Sequence, residues 1–422
     1  MRKGKAAGWL AISPLILFLG IYFTSSMLAG DFNRIPVASA FLLASVFAVC
    51  ISHGSISGRL AVFSKGAGNP DIMLMIWIFV LAGAFAGTAK EIGAVDATVN
   101  AALHILPPKM TFAGLFAASC FMSMAVGTSV GTIVALMPIA CGIATESGFD
   151  TAFVAAIIVG GAFFGDNLSF ISDTTIAATR SVGCQMTDKF KANIKIAGPA
   201  ALIVTGIYLW QGFGTDVMPE AGIVEWVKLT PYLSVIVLAV CGLDVTAVLA
   251  AGLLLCAVIG FAGGSFGWEG FMGAVGKGIY GMGELIIVTL LAGGMLESIR
   301  RNGGLDFIIT SLSRLIRGSR SAEFVMAALV SIVNLFTANN TIAILTTGNI
   351  ASNMTKHFNL EPRRAASILD TFSCLVQGFI PYGAQLLMAS ALSGVAAADI
   401  IPHLTYPLVL GLCAIAAILL HK

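Results

Sequence analysis

The chain has 422 residues, of which 58% are hydrophobic and 10% are charged. Ordinary soluble proteins carry about 25% charged residues, so the composition predicts an integral protein of a lipid bilayer. The net charge of +2 and the lack of a polybasic block argue against a nucleic-acid partner. Isolated histidines and the absence of a CxxC pair give no support to a zinc or redox enzyme.

Long apolar runs predict the membrane helices in chain order. A helix that crosses a bilayer needs roughly 17 to 25 mostly apolar residues. The predicted runs are 7–29, 36–53, 71–89, 193–213, 230–245, 246–263, 280–299 and 402–420. The first run follows MRKGK and has no clear cleavage site, which favours a first transmembrane helix over a cleaved signal peptide.

The second half of the chain resembles the first. The matched segments are LAGAFAGTAKEIGAVD (81–96) with LAGGMLESIRRNGGLD (291–306), Lys65-Gly66 with Lys277-Gly278, and TSVGTI (128–133) with TANNTI (337–342). Three matches at nearly the same offset predict a duplication. We assign the two repeats to residues 1–214 and 215–422.

Charge predicts that the two repeats have opposite orientations in the membrane. Residues 90–111 carry no net charge, whereas the matching residues 300–321 carry five arginines and one aspartate. Lysine and arginine near helix ends concentrate on the cytoplasmic side. With both termini cytoplasmic, residues 111–146 and 323–357 must each enter and leave on one side, and we predict them to be re-entrant hairpins.

Two polar stretches predict broken helices, at about 151–188 and 363–394. They are GDNLSFISDTT (165–175) and QGFIPYGAQ (377–385), where glycine, proline and polar residues disfavour a continuous helix. The predicted fold is therefore an all-α polytopic membrane protein with two inverted repeats, about ten spans and two hairpins. Such repeats are typical of secondary transporters with a site near the midplane; a channel is the lesser alternative.

Oxygen-bearing side chains at these irregular elements predict an ion site. The predicted proton and sodium ligands are Asp166, Asp173, Asn167, Ser172, Thr174, Thr128 and Ser129, with both aspartates binding sodium. The second repeat adds Asn339, Asn340, Thr341, Asp370 and Gln385 as substrate or ion ligands. Burial disfavours a charged carboxylate, so a proton and a cation compete for it. For Asp370, an interhelical hydrogen bond is an equal alternative. We expect no lysine or arginine in the transport core.

Two other protein classes are disfavoured. GTSVG (127–131) matches the G-x-S-x-G nucleophile elbow, but that motif needs a strand-to-helix turn and a nearby histidine, and apolar helix-forming residues flank it here. No GxxxxGK[ST] loop is present to bind a nucleotide. We therefore expect a transporter that is not an enzyme, with no cofactor besides the transported sodium and protons.

GTSVGT (127–132) followed by GDNLSFISDTT (165–175) resembles the NhaC family of sodium/proton antiporters, within the ion transporter superfamily. The resemblance implies a prokaryotic cytoplasmic-membrane protein with a scaffold that often dimerises. It also implies a transport domain, made of the hairpins and broken helices, that moves like an elevator. Two positions depart from the family pattern: Val130 replaces the common tryptophan, and Phe170 replaces the common proline.

The expected function is the exchange of cytoplasmic sodium for external protons through buried aspartates. The alternative is a sodium- or proton-coupled carrier of a small organic acid or amino acid. Asn339 and Asn340 favour this alternative, because amides bind carboxylates and amines.

Overall fold

The computed structural model describes residues 2–29, 35–105, 107–169, 172–213 and 224–420, and every regular element within these ranges is helical. Phe170, which stands where the resemblance predicts a proline, lies outside the described residues. The same holds for residues 214–223, which contain the predicted boundary between the repeats.

Within the described residues, the first half contains ten α-helices. They are α1 (Arg2–Ala29), α2 (Val37–Ile51), α3 (Ile56–Ala67), α4 (Pro70–Glu91), α5 (Ala94–Ile105), α6 (Thr111–Val126), α7 (Ser129–Ser147), α8 (Thr151–Leu168), α9 (Asp173–Val182) and α10 (Met186–Gly212). Asp150 caps α8, because its Oδ1 accepts a hydrogen bond of 3.0 Å from the Ala152 N–H.

The second half contains eleven α-helices among its described residues. Its helices are α11 (Trp226–Val240), α12 (Val245–Ala262), α13 (Trp268–Gly281), α14 (Gly283–Arg301), α15 (Gly304–Ser313), α16 (Ser319–Thr337), α17 (Asn340–His357), α18 (Pro362–Gln377), α19 (Ala384–Ser393), α20 (Ala397–Ile400) and α21 (Thr405–Leu419). The eight predicted apolar runs overlap α1, α2, α4, α10, α11, α12, α14 and α21.

Seven helical segments of the described chain are long and apolar enough to cross a membrane, or up to nine if each of two bent helix pairs is one span. The bends are 41° between α13 and α14 and 102° between α19 and the segment 397–403. The sequence did not predict the short helices α3, α5, α13 and α15. These helices are too short to be recognised as bilayer-spanning runs.

The two halves contact each other through reciprocal glycine contacts. Helix α3 packs against α14, and α13 packs against α4. A Cβ added to Gly66 of α3 would overlap the Gly293 carbonyl of α14, and one added to Gly83 of α4 would overlap the Gly278 carbonyl of α13. Small residues let two helix backbones touch in this way. In the sequence matches, Gly66 corresponds to Gly278 and Gly83 corresponds to Gly293. Each contact therefore joins a glycine of one match to a glycine of the other.

The interruptions between α6 and α7 and between α16 and α17 have the same backbone geometry. Gly127 (φ 76°) and Ala338 (φ 49°) are left-handed, and the residues after them, Thr128 and Asn339, are extended. The sequence match of TSVGTI with TANNTI had paired Thr128 with Thr337. The helix boundaries show that Thr128 corresponds to Asn339, two residues further on, because similar polar residues occur at neighbouring positions here. We call the connection between α6 and α7 the first tip and that between α16 and α17 the second tip.

The contacts of α6 with α8 and of α16 with α18 also correspond. Ser123 Oγ donates a hydrogen bond of 2.6 Å to the Ala162 carbonyl, and Asn334 Nδ2 donates one of 2.7 Å to the Ser373 carbonyl. Beyond these contacts, α8 ends at Leu168 and α18 ends at Gln377. Both interruptions predicted from Gly, Pro and polar residues therefore coincide with helix ends.

Candidate cation site

A cavity of about 180 Å³ lies where the four interruptions meet. Ten of the twelve predicted site residues line it: Thr128, Ser129, Asp166, Ser172, Asp173, Thr174, Asn339, Asn340, Thr341 and Gln385. Met75, Ile78 and Phe79 of α4 provide an apolar wall, and Val130 also faces the cavity. Since about 15 Å³ of such volume is enough for one water molecule, the space is large enough for a partly hydrated ion or a small organic solute.

Asp166 is the buried acid of this cavity. Asp166 is only 4% exposed, and its Oδ1 accepts a hydrogen bond of 3.1 Å from the Ser129 N–H. Ser129 is the first residue of α7, where backbone N–H groups have no partner within the helix. The positive end of the α7 dipole therefore faces the Asp166 carboxylate and stabilises a negative charge there.

A chain of amide hydrogen bonds links this carboxylate to the second half. Gln385 Nε2 donates to Ser129 Oγ at 3.0 Å, and Gln377 Nε2 donates to Gln385 Oε1 at 2.9 Å. Gln377 Nε2 also donates to the Ala338 carbonyl at 2.9 Å, in the second tip. Ser129 and Gln385 thus bring the two halves into direct contact beside Asp166.

The two predicted aspartates differ in burial. The sequence predicts a buried carboxylate at Asp173, but this residue is exposed and lines the cavity. It is the first residue of α9, after the N-cap Ser172, so the start of the helix carries it towards the open space. The buried oxygens of this break belong instead to Ser172 and Thr174, whose hydroxyls lie 2.9 Å apart.

At the second tip, Asn339 and Asn340 also have local partners. Asn339 Oδ1 caps α17 by accepting from the Ile342 N–H at 3.0 Å, and Asn340 Oδ1 accepts from the Thr341 N–H at 3.1 Å. Their Nδ2 groups contact sulfur atoms, Met75 Sδ at 3.8 Å and Cys374 Sγ at 3.7 Å. Because sulfur is a weak acceptor, these N–H groups remain suitable donors to a solute in the cavity.

The remaining predicted residues, Asn167 and Asp370, belong to a second polar cluster behind the cavity. Asp370 is 0% exposed and lies 2.9 Å from the Nζ of Lys189, which is 1% exposed. Asn193 Nδ2 donates to Asp370 Oδ2 at 2.8 Å, so the interhelical hydrogen bond considered for Asp370 is present.

Lys189 is a site residue that the sequence did not predict. Its neighbours Asp188 and Lys191 make the start of α10 look like a charged cytoplasmic loop, which led to the expectation of a core without lysine. That expectation is wrong, because the long side chain places its ammonium next to Asp370. The available signal was the polar pair Lys189 and Asn193, which lie four residues apart on one helix face.

Comparison with known proteins finds antiporters. The model of a family described as the Na+/H+ antiporter family matches residues 6–213 and 221–421. The Na(+)/H(+) antiporter NhaC of Bacillus subtilis is 27% identical, over 93% of this chain and 93% of its own. NhaC of Alkalihalophilus pseudofirmus is 26% identical, over 95% and 93%. The malate-2H(+)/Na(+)-lactate antiporter of Bacillus subtilis is 22% identical, over 92% and 90%.

Proposed function

The chain belongs to the Na+/H+ antiporter family, and we propose that it exchanges cytoplasmic sodium for external protons at Asp166. Family membership makes the protein an integral membrane transporter of the secondary antiporter type. The observation that carries the assignment to Asp166 is its position. It is a buried carboxylate of α8 that accepts a hydrogen bond from the first residue of α7, and it lines a cavity with oxygen-bearing side chains from both halves.

Competition at one carboxylate is sufficient for exchange. In the low dielectric of the interior, the Asp166 carboxylate needs a positive partner, and either a proton or a sodium ion fills that role. Thr128, Ser129, Ser172 and Thr174 supply hydroxyl oxygens on the same cavity wall, and hard cations prefer such ligands. Asp173, exposed in the cavity, attracts cations towards the site.

The transport cycle that we propose is an elevator-like movement of a domain made of the hairpins and the broken helices. In this arrangement the halves are inverted repeats, both termini are cytoplasmic and the scaffold forms a homodimer. The reciprocal contacts of Gly66 with Gly293 and of Gly83 with Gly278 support the duplication. The matching backbone angles at Gly127 and Ala338 support it as well.

A second candidate function is the coupled transport of a small organic acid. The amides of Asn339 and Asn340 face the cavity beside the N-terminus of α17, and a helix N-terminus binds carboxylates. The relative from Bacillus subtilis named as a malate and lactate antiporter is compatible with this alternative. Proton movement that needs an added organic acid would favour it.

Proteoliposomes with an imposed pH gradient separate the two functions. A sodium pulse without any organic solute should collapse the gradient in the wild type and leave it intact with Asp166→Asn. The same pulse should have no effect on liposomes without protein. If sodium moves protons only after malate, lactate or another organic acid is added, the exchange that we propose is wrong.

Asp150→Asn is the matched control for the site. Asp150 is an exposed aspartate at the opposite end of the same helix, α8. Because asparagine is also a good N-cap, this variant should keep wild-type exchange. Wild-type exchange by Asp166→Asn would instead remove Asp166 from the mechanism.

A further inference from the structure

We propose that Lys189 is a built-in cation whose ammonium group permanently fills a second sodium-type position behind the cavity. The Nζ atom lies 2.7 Å from the Asn167 carbonyl oxygen, 2.7 Å from Thr175 Oγ1 and 2.9 Å from Asp370 Oδ2. A lysine ammonium has three N–H donors. Each donor therefore has one oxygen partner, and these partners come from three different helix segments.

The oxygens around this ammonium resemble a cation site in kind. They comprise one carbonyl, one hydroxyl and one carboxylate oxygen, which are the hard ligands that sodium takes from unwound carbonyls and side chains in transporters. Asn193 supports the cluster by donating to the Asn167 carbonyl at 2.9 Å and to Asp370 Oδ2 at 2.8 Å. The residues Asn167, Asn193 and Asp370 are all fully buried.

Three further oxygens of the cluster have no donor in the described part of the chain. Asn167 Oδ1, Asn193 Oδ1 and Asp370 Oδ1 are buried and have no hydrogen-bond partner among the described residues. A purely structural ion pair gains stability from pairing all of its polar groups. Three unpaired oxygens beside one ammonium group fit a site of oxygen ligands that a single compact positive charge occupies.

The second position is directly connected to the first. Asn167, which accepts from Lys189, follows Asp166 in the chain, and Thr175 Oγ1 lies 3.5 Å from the Asp166 carbonyl oxygen. The fixed ammonium neutralises Asp370, so the pair Asp166 and Asp370 needs only one mobile cation. The inference rests on the proposed function for the choice of sodium as that cation.

Removing the ammonium should open the second position to sodium. Binding of radioactive sodium to purified protein would be measured for the wild type, Lys189→Ala, the double variant Lys189→Ala with Asp370→Asn, and Lys191→Ala. We expect Lys189→Ala to bind one additional sodium ion per chain, and the double variant to lose that gain. Lys191 is exposed on the same helix, and Lys191→Ala should match the wild type.

The decisive quantity is the difference in the number of sodium ions bound per chain between Lys189→Ala and the wild type. No additional sodium in Lys189→Ala, or a gain that persists in the double variant, would overturn the inference. Failure of the proposed function has a different signature, namely a wild type that binds no sodium and moves no protons. The gain in Lys189→Ala can be measured in either case.

Folding of Lys189→Ala supplies a second measurement. If the missing charge prevents folding, purification in sodium should restore monodisperse protein, whereas purification in choline should not. Sodium would then occupy the position left by the ammonium. Equal loss of folded protein in both buffers would show that Lys189 acts only as half of an ion pair, and it would overturn the inference.

Discussion

The first half carries acids and hydroxyls at its interruptions, whereas the second half carries amides and alanine at the corresponding positions. Counted from the matched hydrogen bonds of Ser123 and Asn334, the corresponding pairs are Ser129 with Asn340, Asp166 with Gln377, Asp173 with Ala384 and Thr174 with Gln385. The backbone geometry is shared, so the difference is chemical. One half supplies charge to the cavity, and the other supplies neutral hydrogen bonds.

Exchanging the acid and the amide should have the largest effect on transport. Asp166→Asn should lower sodium-driven proton movement at least about 100-fold, which corresponds to losing about 2.7 kcal/mol from a charged interaction. Adding Gln377→Asp should not restore it, because a carboxylate there would face the Ala338 carbonyl and Gln385 Oε1. Gln377→Asn is the neutral control. Recovery of exchange in the double variant would show that the position of the charge is unimportant.

The pH dependence of sodium transport tests whether one carboxylate carries both ions. If protons and sodium compete for Asp166, lowering the pH should raise the apparent KM for sodium. When one proton competes with one sodium ion, the apparent KM for sodium rises by at most about tenfold for each unit by which the pH falls. Initial rates at several sodium concentrations and pH values would measure it. An apparent KM that is independent of pH, with only the maximal rate changing, would contradict competition.

Asp173 should contribute much less to exchange than Asp166, the other acid of the first half that lines the cavity. Because it is exposed, water screens its charge, and exposed charge interactions contribute less than about 1 kcal/mol. Asp173→Asn should therefore reduce exchange by no more than about fivefold, and raising the ionic strength should shrink the difference from the wild type. A loss as complete as that of Asp166→Asn would make Asp173 a direct ligand.

The smallest expected effect concerns the left-handed residues of the two tips. An L-residue with a side chain pays about 1 kcal/mol in this conformation, and glycine does not. Gly127→Ala should therefore lower the melting temperature and Ala338→Gly should raise it, each by about 1 to 2 °C. Changes of the same sign in both variants would mean that packing, and not backbone conformation, sets the stability of the tips.

The sequence predicted most of the long helices and ten of the residues that line the cavity, because apolar length and polar interruptions are local properties. It did not predict the burial of Lys189, which depends on contact with Asp370 from a distant helix. It also misjudged Asp173, since one position along a helix start decides between a buried and an exposed carboxylate. The roles of these residues in transport stay predictions.

The glycine contacts between the halves have a consequence for biosynthesis. Gly66 is far from Gly293 in the chain, as Gly83 is from Gly278, and each pair joins a helix of the first half to a helix of the second. During synthesis, α3 and α4 are made long before α13 and α14 exist. Their glycine faces have no partner until then, and contacts of such long range form late. A chain released after the first half would expose those faces, and we expect quality-control proteases to remove it.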